Sequence, residues 1–163
     1  MNGVFNQTIT DSRLVVVKTR RSTSLVRCFQ DNRFLPLKLR PRGWLHFQQA
    51  ASVQSGKVIV DDCRYCYSLS SDPDDEQKWL FRYEYSLNPD ENVPHAHLHV
   101  NAKKGNQHLK HIHFPTGRVS IEQVIAHLIC EYGIQSERAD WFDYLAESHR
   151  RFTELRTDPP IFP

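Results

Sequence analysis

The sequence predicts a single α+β domain: a mostly antiparallel β-sheet with two C-terminal α-helices packed on one face. Three observations carry this reading. From about residue 13 to residue 114, runs rich in Val, Ile, Tyr and Phe alternate apolar with polar residues, the period of a strand. The tracts between those runs are short and polar, which suits antiparallel neighbours. Beyond residue 119 the apolar spacing changes to three and four, the period of a helix.

Each element follows in order. The β-branched run at 13–19, RLVVVKT, is a strand. Segments 24–30 and 33–39 form a hairpin around Asp31 and Asn32, with Pro36 demoting the second strand to an edge or a bulge. The tract 41–43, PRG, is a turn, and 44–52 is either strand or helix. The clearest pair is 57–69, KVIVDDCRYCYSL, and 78–87, KWLFRYEYSL, joined by the polar SSDPDDEQ into a long hairpin. On the second strand Trp79, Phe81, Tyr83, Tyr85 and Leu87 share the face expected to be buried. Leu80, Arg82, Glu84 and Ser86 share the other.

Residues 95–101 form the next strand, with Ala96, Leu98 and Val100 on its apolar side. AKKGNQ is a turn, and 109–114, LKHIHF, returns as a strand with Ile112 and Phe114 apolar. The tract 115–117, PTG, ends the sheet. Ser120 caps a helix, and Gln123 completes a capping box. Ile121, Val124, Ile125, Leu128, Ile129 and Tyr132 form its apolar stripe, and Gly133 stops it. A second helix is expected over 138–156, burying Trp141, Leu145, Phe152 and Leu155. The tail TDPPIFP is extended.

The chain of 163 residues suits one domain, 1–163, with a basic β-rich part (1–56), a histidine-rich sheet (57–118) and a helical part (119–163). An aromatic content of 11% argues against disorder. No apolar run approaches the ~20 residues that a membrane helix needs. The start, MNGVFNQTITDSR, lacks a basic stretch leading into an apolar one, so a cytoplasmic location is expected. Cys63 and Cys66 form an isolated CxxC in a strand-like run, which supports neither a zinc ribbon nor a redox pair. Their spacing points the two thiols to opposite faces, where they pack reduced.

Charge is unevenly spread. Residues 1–60 and 95–118 are basic, whereas 61–94 and 119–163 are acidic. If the basic segments share a face, that face suits a polyanion such as RNA or DNA; otherwise these are solvated positions. Lys103, Lys104, Lys110 and Arg118 are the candidates for phosphate contact.

Six of the nine histidines fall between His95 and His113. Matching apolar to apolar across the 95–101 and 109–114 strands puts His97, His99, His111 and His113 on one face. A register of His99 with His111 sets His97 opposite His113. Such a face can hold zinc or another divalent ion, with His95, His97, His99, His111 and His113 as candidate ligands. It can equally run metal-free acid–base cleavage of RNA, with His97 and His99 working against His111 or His113. Arg82 would then stabilise phosphate charge, and Glu84 would orient an imidazole. A third use is nucleic-acid binding without catalysis. Whether a cofactor is needed stays open. His127 and His149 sit on helices, His108 falls in the turn, and His46 has no assigned place.

HAHLHVN resembles the His-x-His-x-His strand of the histidine-triad nucleotide hydrolases, which implies His97 as a nucleophile on a nucleotide phosphate. Over 57–130 the chain resembles the TumE-type toxins of bacterial toxin–antitoxin modules, in Arg82, Tyr83 and Glu84 followed by Pro94, His95, His97 and His99. It departs from them in carrying Glu84 where they tend to have Asp, and in its basic N-terminal segment. That resemblance implies a bacterial toxin acting on RNA and neutralised by a cognate antitoxin protein.

Overall fold

The period-two runs, 109–114 excepted, become strands in the computed structural model, which describes residues 4–5, 8–9, 15–20, 23–30, 33–55 and 57–155. They are β1 (Val15–Arg20), β2 (Thr23–Gln30), β3 (Arg33–Phe34), β4 (Leu37–Lys38), β5 (Trp44–Gln54), β6 (Lys57–Ser68), β7 (Trp79–Ser86), β8 (Ala96–Val100), β9 (Lys103–Lys104), β10 (Gln107–His108) and β11 (Phe114–Pro115). Two helices follow, α1 (Ile121–Tyr132) and α2 (Trp141–Leu155). The main sheet runs β1-β2-β5-β6-β7-β8-β11, with β3 beside β2 and β4 beside β5. Its pairings are antiparallel. The protein is α+β.

The ambiguous 44–52 segment is strand. Leu45 and Phe47 alternate into the core, and β5 pairs with β6 along its length. Pro36 splits the run expected at 33–39. Arg33 and Phe34 pair with β2, whereas Leu37 and Lys38 pair with β5. Proline has no N–H for a continuous ladder, so the two halves take different partners. Asp31, Asn32 and the 157–163 tail lie outside the described residues.

The helix signals worked as physical chemistry requires. The Ser120 hydroxyl accepts from the Gln123 N–H, the Gln123 side chain accepts from the Ser120 N–H, and Gly133 ends α1 at φ 64°. Val124, Ile125 and Leu128 are fully buried against Tyr65, Tyr67, Phe81 and Tyr85 of the sheet. Each aliphatic side chain buried there contributes about 1.5–3 kcal/mol. The second helix starts at Trp141 rather than at 138; Arg138 instead pairs with Asp140, whose carbonyl accepts the Tyr144 N–H. Leu145 is buried, and Trp141 and Phe152 are half-buried.

Three expectations need correction. Trp79 is buried, as expected, but it does not join Phe81 and Tyr85 in the core cluster under the helices. A bulge between Tyr67 and Ser68 sets Trp79 opposite Ser68, and its ring lines a cleft on the other side. The 109–114 strand shrinks to Phe114–Pro115. The Leu109 N–H bonds the Ala102 carbonyl and the Ile112 N–H bonds the Leu109 carbonyl, so this stretch is a turn with its backbone groups already spent. Phe114 is 38% exposed rather than core-facing. Finally, the AKKGNQ tract is a two-stranded ribbon, β9 on β10, and His108 lies on β10.

Gly43 marks a close approach. Its φ is +87°, and a Cβ there would stand 2.5 Å from the Tyr67 ring. Among the described residues no helix is long and apolar enough to cross a membrane.

Candidate functional site

The strand registers stack polar residues into two rows on the side of the sheet away from the helices. One row runs Gln48, Arg64, Glu84, His97 across β5, β6, β7 and β8. The next runs His46, Cys66, Arg82, His99. Directly opposed side chains lie ~4.5–5.5 Å apart at Cβ, so each row is a line of contacts. Period-two alternation explains the sorting: Tyr65, Tyr67, Phe81 and Tyr85 take the helix side, and these rows take the other.

The two rows converge on Glu84. Its Oε1 lies 2.6 Å from Arg64 Nε and 2.9 Å from Arg82 Nε. Its Oε2 lies 3.2 Å from His97 Nε2 and 3.4 Å from His99 Nε2. Both imidazoles are almost wholly buried, at 4% and 3% exposure. His113 completes a trio, its ring centroid 4.6 Å from that of His97 and 4.7 Å from that of His99. One ring nitrogen from each of the three falls within 4.8 Å of the others, and His113 is the most exposed.

Hydrogen bonding fixes the tautomers. His97 Nδ1 donates to the Pro94 carbonyl at 2.9 Å, and His99 Nδ1 donates to the Lys110 carbonyl at 3.0 Å. A carbonyl only accepts, so each Nδ1 carries a hydrogen. His97 Nε2 in addition hydrogen-bonds the Glu84 carboxylate, whereas a neutral His99 ring presents a bare lone pair at Nε2. His99 Nε2 is buried with no hydrogen-bond partner.

The electrostatics are consistent. Burial resists ionisation of Glu84, but the His97 bond, Arg64, Arg82 and His99 outweigh it and hold the carboxyl at about 2. Burial pushes the His99 pKa down, and Arg82 adds to this. The His113 pKa is lowered first by burial and then by His97. Cys66 sits in the same row, yet burial pushes its thiol up to about 11; Cys63, on the core side, is likewise raised to about 11. Both are free thiols on opposite faces, as the spacing predicts.

A cleft of about 500 Å³ adjoins this centre. Arg64 and Arg82 form their shared wall. His46, Trp79, Lys110 and His111 also line the cleft, and the Arg82 guanidinium stacks 5.3 Å over the Trp79 ring. The opposite rim is the acidic loop carrying Asp72, Asp74, Asp75 and Glu76.

The structure brings together His97, His99, His113, Arg82 and Glu84, and leaves others out. The β8–β11 register pairs Leu98 with Phe114, two residues from the expected one. A shift of two preserves the face, so His113 keeps its place while His111 falls in the turn and lines the cleft instead. His95 turns its Nδ1 to the Ser86 carbonyl. Among the phosphate candidates only Lys110 lines the cleft, its ammonium 2.9 Å from Glu76. Lys103 and Lys104 are exposed on β9. Arg118 is on the helix side, 4.5 Å over the Tyr85 ring, because the chain has crossed over the sheet edge after β11. His127 packs on Phe81, and His149 meets the Ser120 hydroxyl at 3.0 Å; both are structural.

Sequence reasoning missed Arg64, His46 and the cleft-facing Trp79. Arg64 had a signal, since the long hairpin that pairs Tyr65 with Tyr83 must pair Arg64 with Glu84. His46 had none until 44–52 was known to be strand. No family model, no curated protein and no solved structure matches the chain.

Proposed function

We propose that the histidine face is the reacting centre of an enzyme that cleaves RNA. One observation carries the reading. The buried His97 and His99 meet Glu84, with His113 beside them, and Glu84 is held by two guanidiniums that wall a cleft. Burying ionisable groups in this way costs free energy that an apolar arrangement would not, so a chemical use is the economical explanation.

The phosphodiester sits against Arg64 and Arg82, which meet the charge that grows on phosphorus. The acidic rim from Asp72 to Glu76 repels a second phosphate and confines the first to the arginine side. The buried Trp79 ring backs Arg82 and holds its guanidinium at the cleft wall. In cleavage, the ribose 2′-hydroxyl loses its proton and attacks phosphorus, and the 5′-oxygen leaves with a proton. Nε2 of His99, and Nε2 of His97 on release of its bond to Glu84, are the nitrogens left for these transfers, because both Nδ1 are committed to carbonyls. His113 is the opposing imidazole. Membership of a toxin–antitoxin pair in a bacterial cytoplasm, with a cognate antitoxin protein, rests on the sequence resemblance at 57–130.

The test is cleavage of a labelled single-stranded RNA against the same sequence as DNA. Wild type should cut only the RNA and leave a 2′,3′-cyclic phosphate. His97→Ala should lose at least about 100-fold in rate. Cleavage of the DNA, or an undiminished rate in a folded His97→Ala protein, would refute the proposal.

A further inference from the structure

The lone pair at His99 Nε2 has an unusual environment. It is buried and makes no hydrogen bond, as is true of the neighbouring Arg82 Nε and Glu84 Oε1, and a Glu84 carboxylate oxygen lies 3.4 Å away. An imidazolium N–H there would be expected to donate to that oxygen, and no such bond forms. A neutral ring instead sets lone pair against lone pair. Positive charge placed between nitrogen and oxygen removes the conflict.

The distances specify that charge. Ligands bound 2.0–2.1 Å from a tetrahedral zinc ion stand about 3.3–3.4 Å from one another. Glu84 Oε2 stands 3.2 Å from His97 Nε2 and 3.4 Å from His99 Nε2. A nitrogen of the third ring, His113, lies within 4.8 Å of those of His97 and His99. The two Nδ1–H groups are anchored on the Pro94 and Lys110 carbonyls, the outer bonding that orients metal-ligating imidazoles. Glu84 turns Oε1 to Arg64 and Arg82 and Oε2 to His97 and His99.

We infer that His97, His99 and His113 form a binding site for a divalent transition-metal ion of the zinc type, with the Glu84 carboxylate beside the two buried rings. Three imidazoles favour zinc, cobalt or nickel over magnesium, which demands oxygen ligands. The ion adds a dication beside two guanidiniums balanced by one carboxylate. An anion would relieve that excess, and the cleft that Arg64 and Arg82 line lies on the far side of these guanidiniums from the ion, with none of the four proposed groups in its wall. With the ion bound, the two histidines are ligands, and a polarised water takes over as the proton acceptor. The inference shares the site of the proposed reaction but does not rest on RNA cleavage, since binding is read with no RNA present.

The experiment titrates EDTA-treated, metal-depleted full-length protein with zinc by calorimetry, and with cobalt by its visible absorption. The expected result is one equivalent of either ion per chain, with the intense bands of low-coordinate cobalt, and no comparable binding of magnesium. His99→Gln should weaken zinc binding roughly tenfold or more. His113→Ala should do the same; as the most exposed of the three rings it is the variant least prone to unfold, and circular dichroism checks this. His108→Ala, on the outlying ribbon, should bind as wild type does. Absence of stoichiometric zinc binding would overturn the inference. So would undiminished binding in a folded His113→Ala protein, or equal loss in His108→Ala.

Discussion

Glu84→Gln tests the electrostatic heart of the site without RNA or metal. The substitution keeps volume and shape but removes the charge that answers Arg64 and Arg82. The carboxyl ionises at about 2 in the folded chain, against an ordinary 4.5. At about 1.4 kcal/mol per tenfold in proton affinity, the ceiling on its contribution is about 3 kcal/mol. Arg64 is 58% exposed, and solvent screening cuts that to about 1–2 kcal/mol. The sign follows from the depressed value. The contribution is complete above about pH 5 and drains away as pH falls toward 2, because protons then bind the unfolded carboxyl first. Urea unfolding in EDTA at pH 7 and pH 3 is the assay. Glu84→Gln should be less stable than wild type by about 1–2 kcal/mol at pH 7, and should lose about 1 kcal/mol less on going to pH 3. Glu84 also raises the His99 pKa, so His99 in the variant should titrate still lower by NMR. Equal losses between the two pH values in both proteins would refute the reasoning.

Other outcomes are equally specific. Leu128→Ala opens a cavity under fully buried core and should cost about 2–5 kcal/mol in urea midpoint terms, without changing zinc stoichiometry. Ser120→Ala removes both the cap and the His149 partner and should destabilise by about 1–2 kcal/mol, read from thermal unfolding. Gly43→Ala meets the Tyr67 ring and a left-handed backbone together; it should cost at least about 1–2 kcal/mol, and a neutral result would mean that the 41–43 turn can move. Trp79→Ala removes the ring that backs Arg82 and should weaken RNA binding by about 0.5–2 kcal/mol in a fluorescence titration, while leaving zinc binding unchanged.

Most of the fold was legible because it rests on local rules. Alternation named the strands, and the capping box and Gly133 bounded the first helix. The site was half legible. Face parity survives any even register shift, so His97, His99 and His113 could be grouped from sequence although the pairing itself was off by two residues. His111 was lost because turn hydrogen bonds between Leu109 and Ile112 are not written in an apolar pattern. Trp79 was misplaced because a bulge reverses parity, and nothing in KWLFRYEYSL announces one. Arg64 and His46 needed the full strand order, which is a tertiary fact.

The two polar rows have a kinetic meaning. Their members come from four successive strands, and His113 from a fifth segment, so the centre has no local precursor in the nascent chain. A hairpin of β6 and β7 alone unites Arg64 with Glu84 but holds no imidazole of the trio. Such non-local pairing forms late and slowly, and a slip of one residue at any seam would turn half of the centre toward the helices. If the centre is catalytic as proposed, its activity should therefore appear in one step, at the end of folding, and not in a product truncated before β8 and His113. During synthesis, the cell that makes the chain would meet no active protein until β8 and the segment after it had left the ribosome and docked.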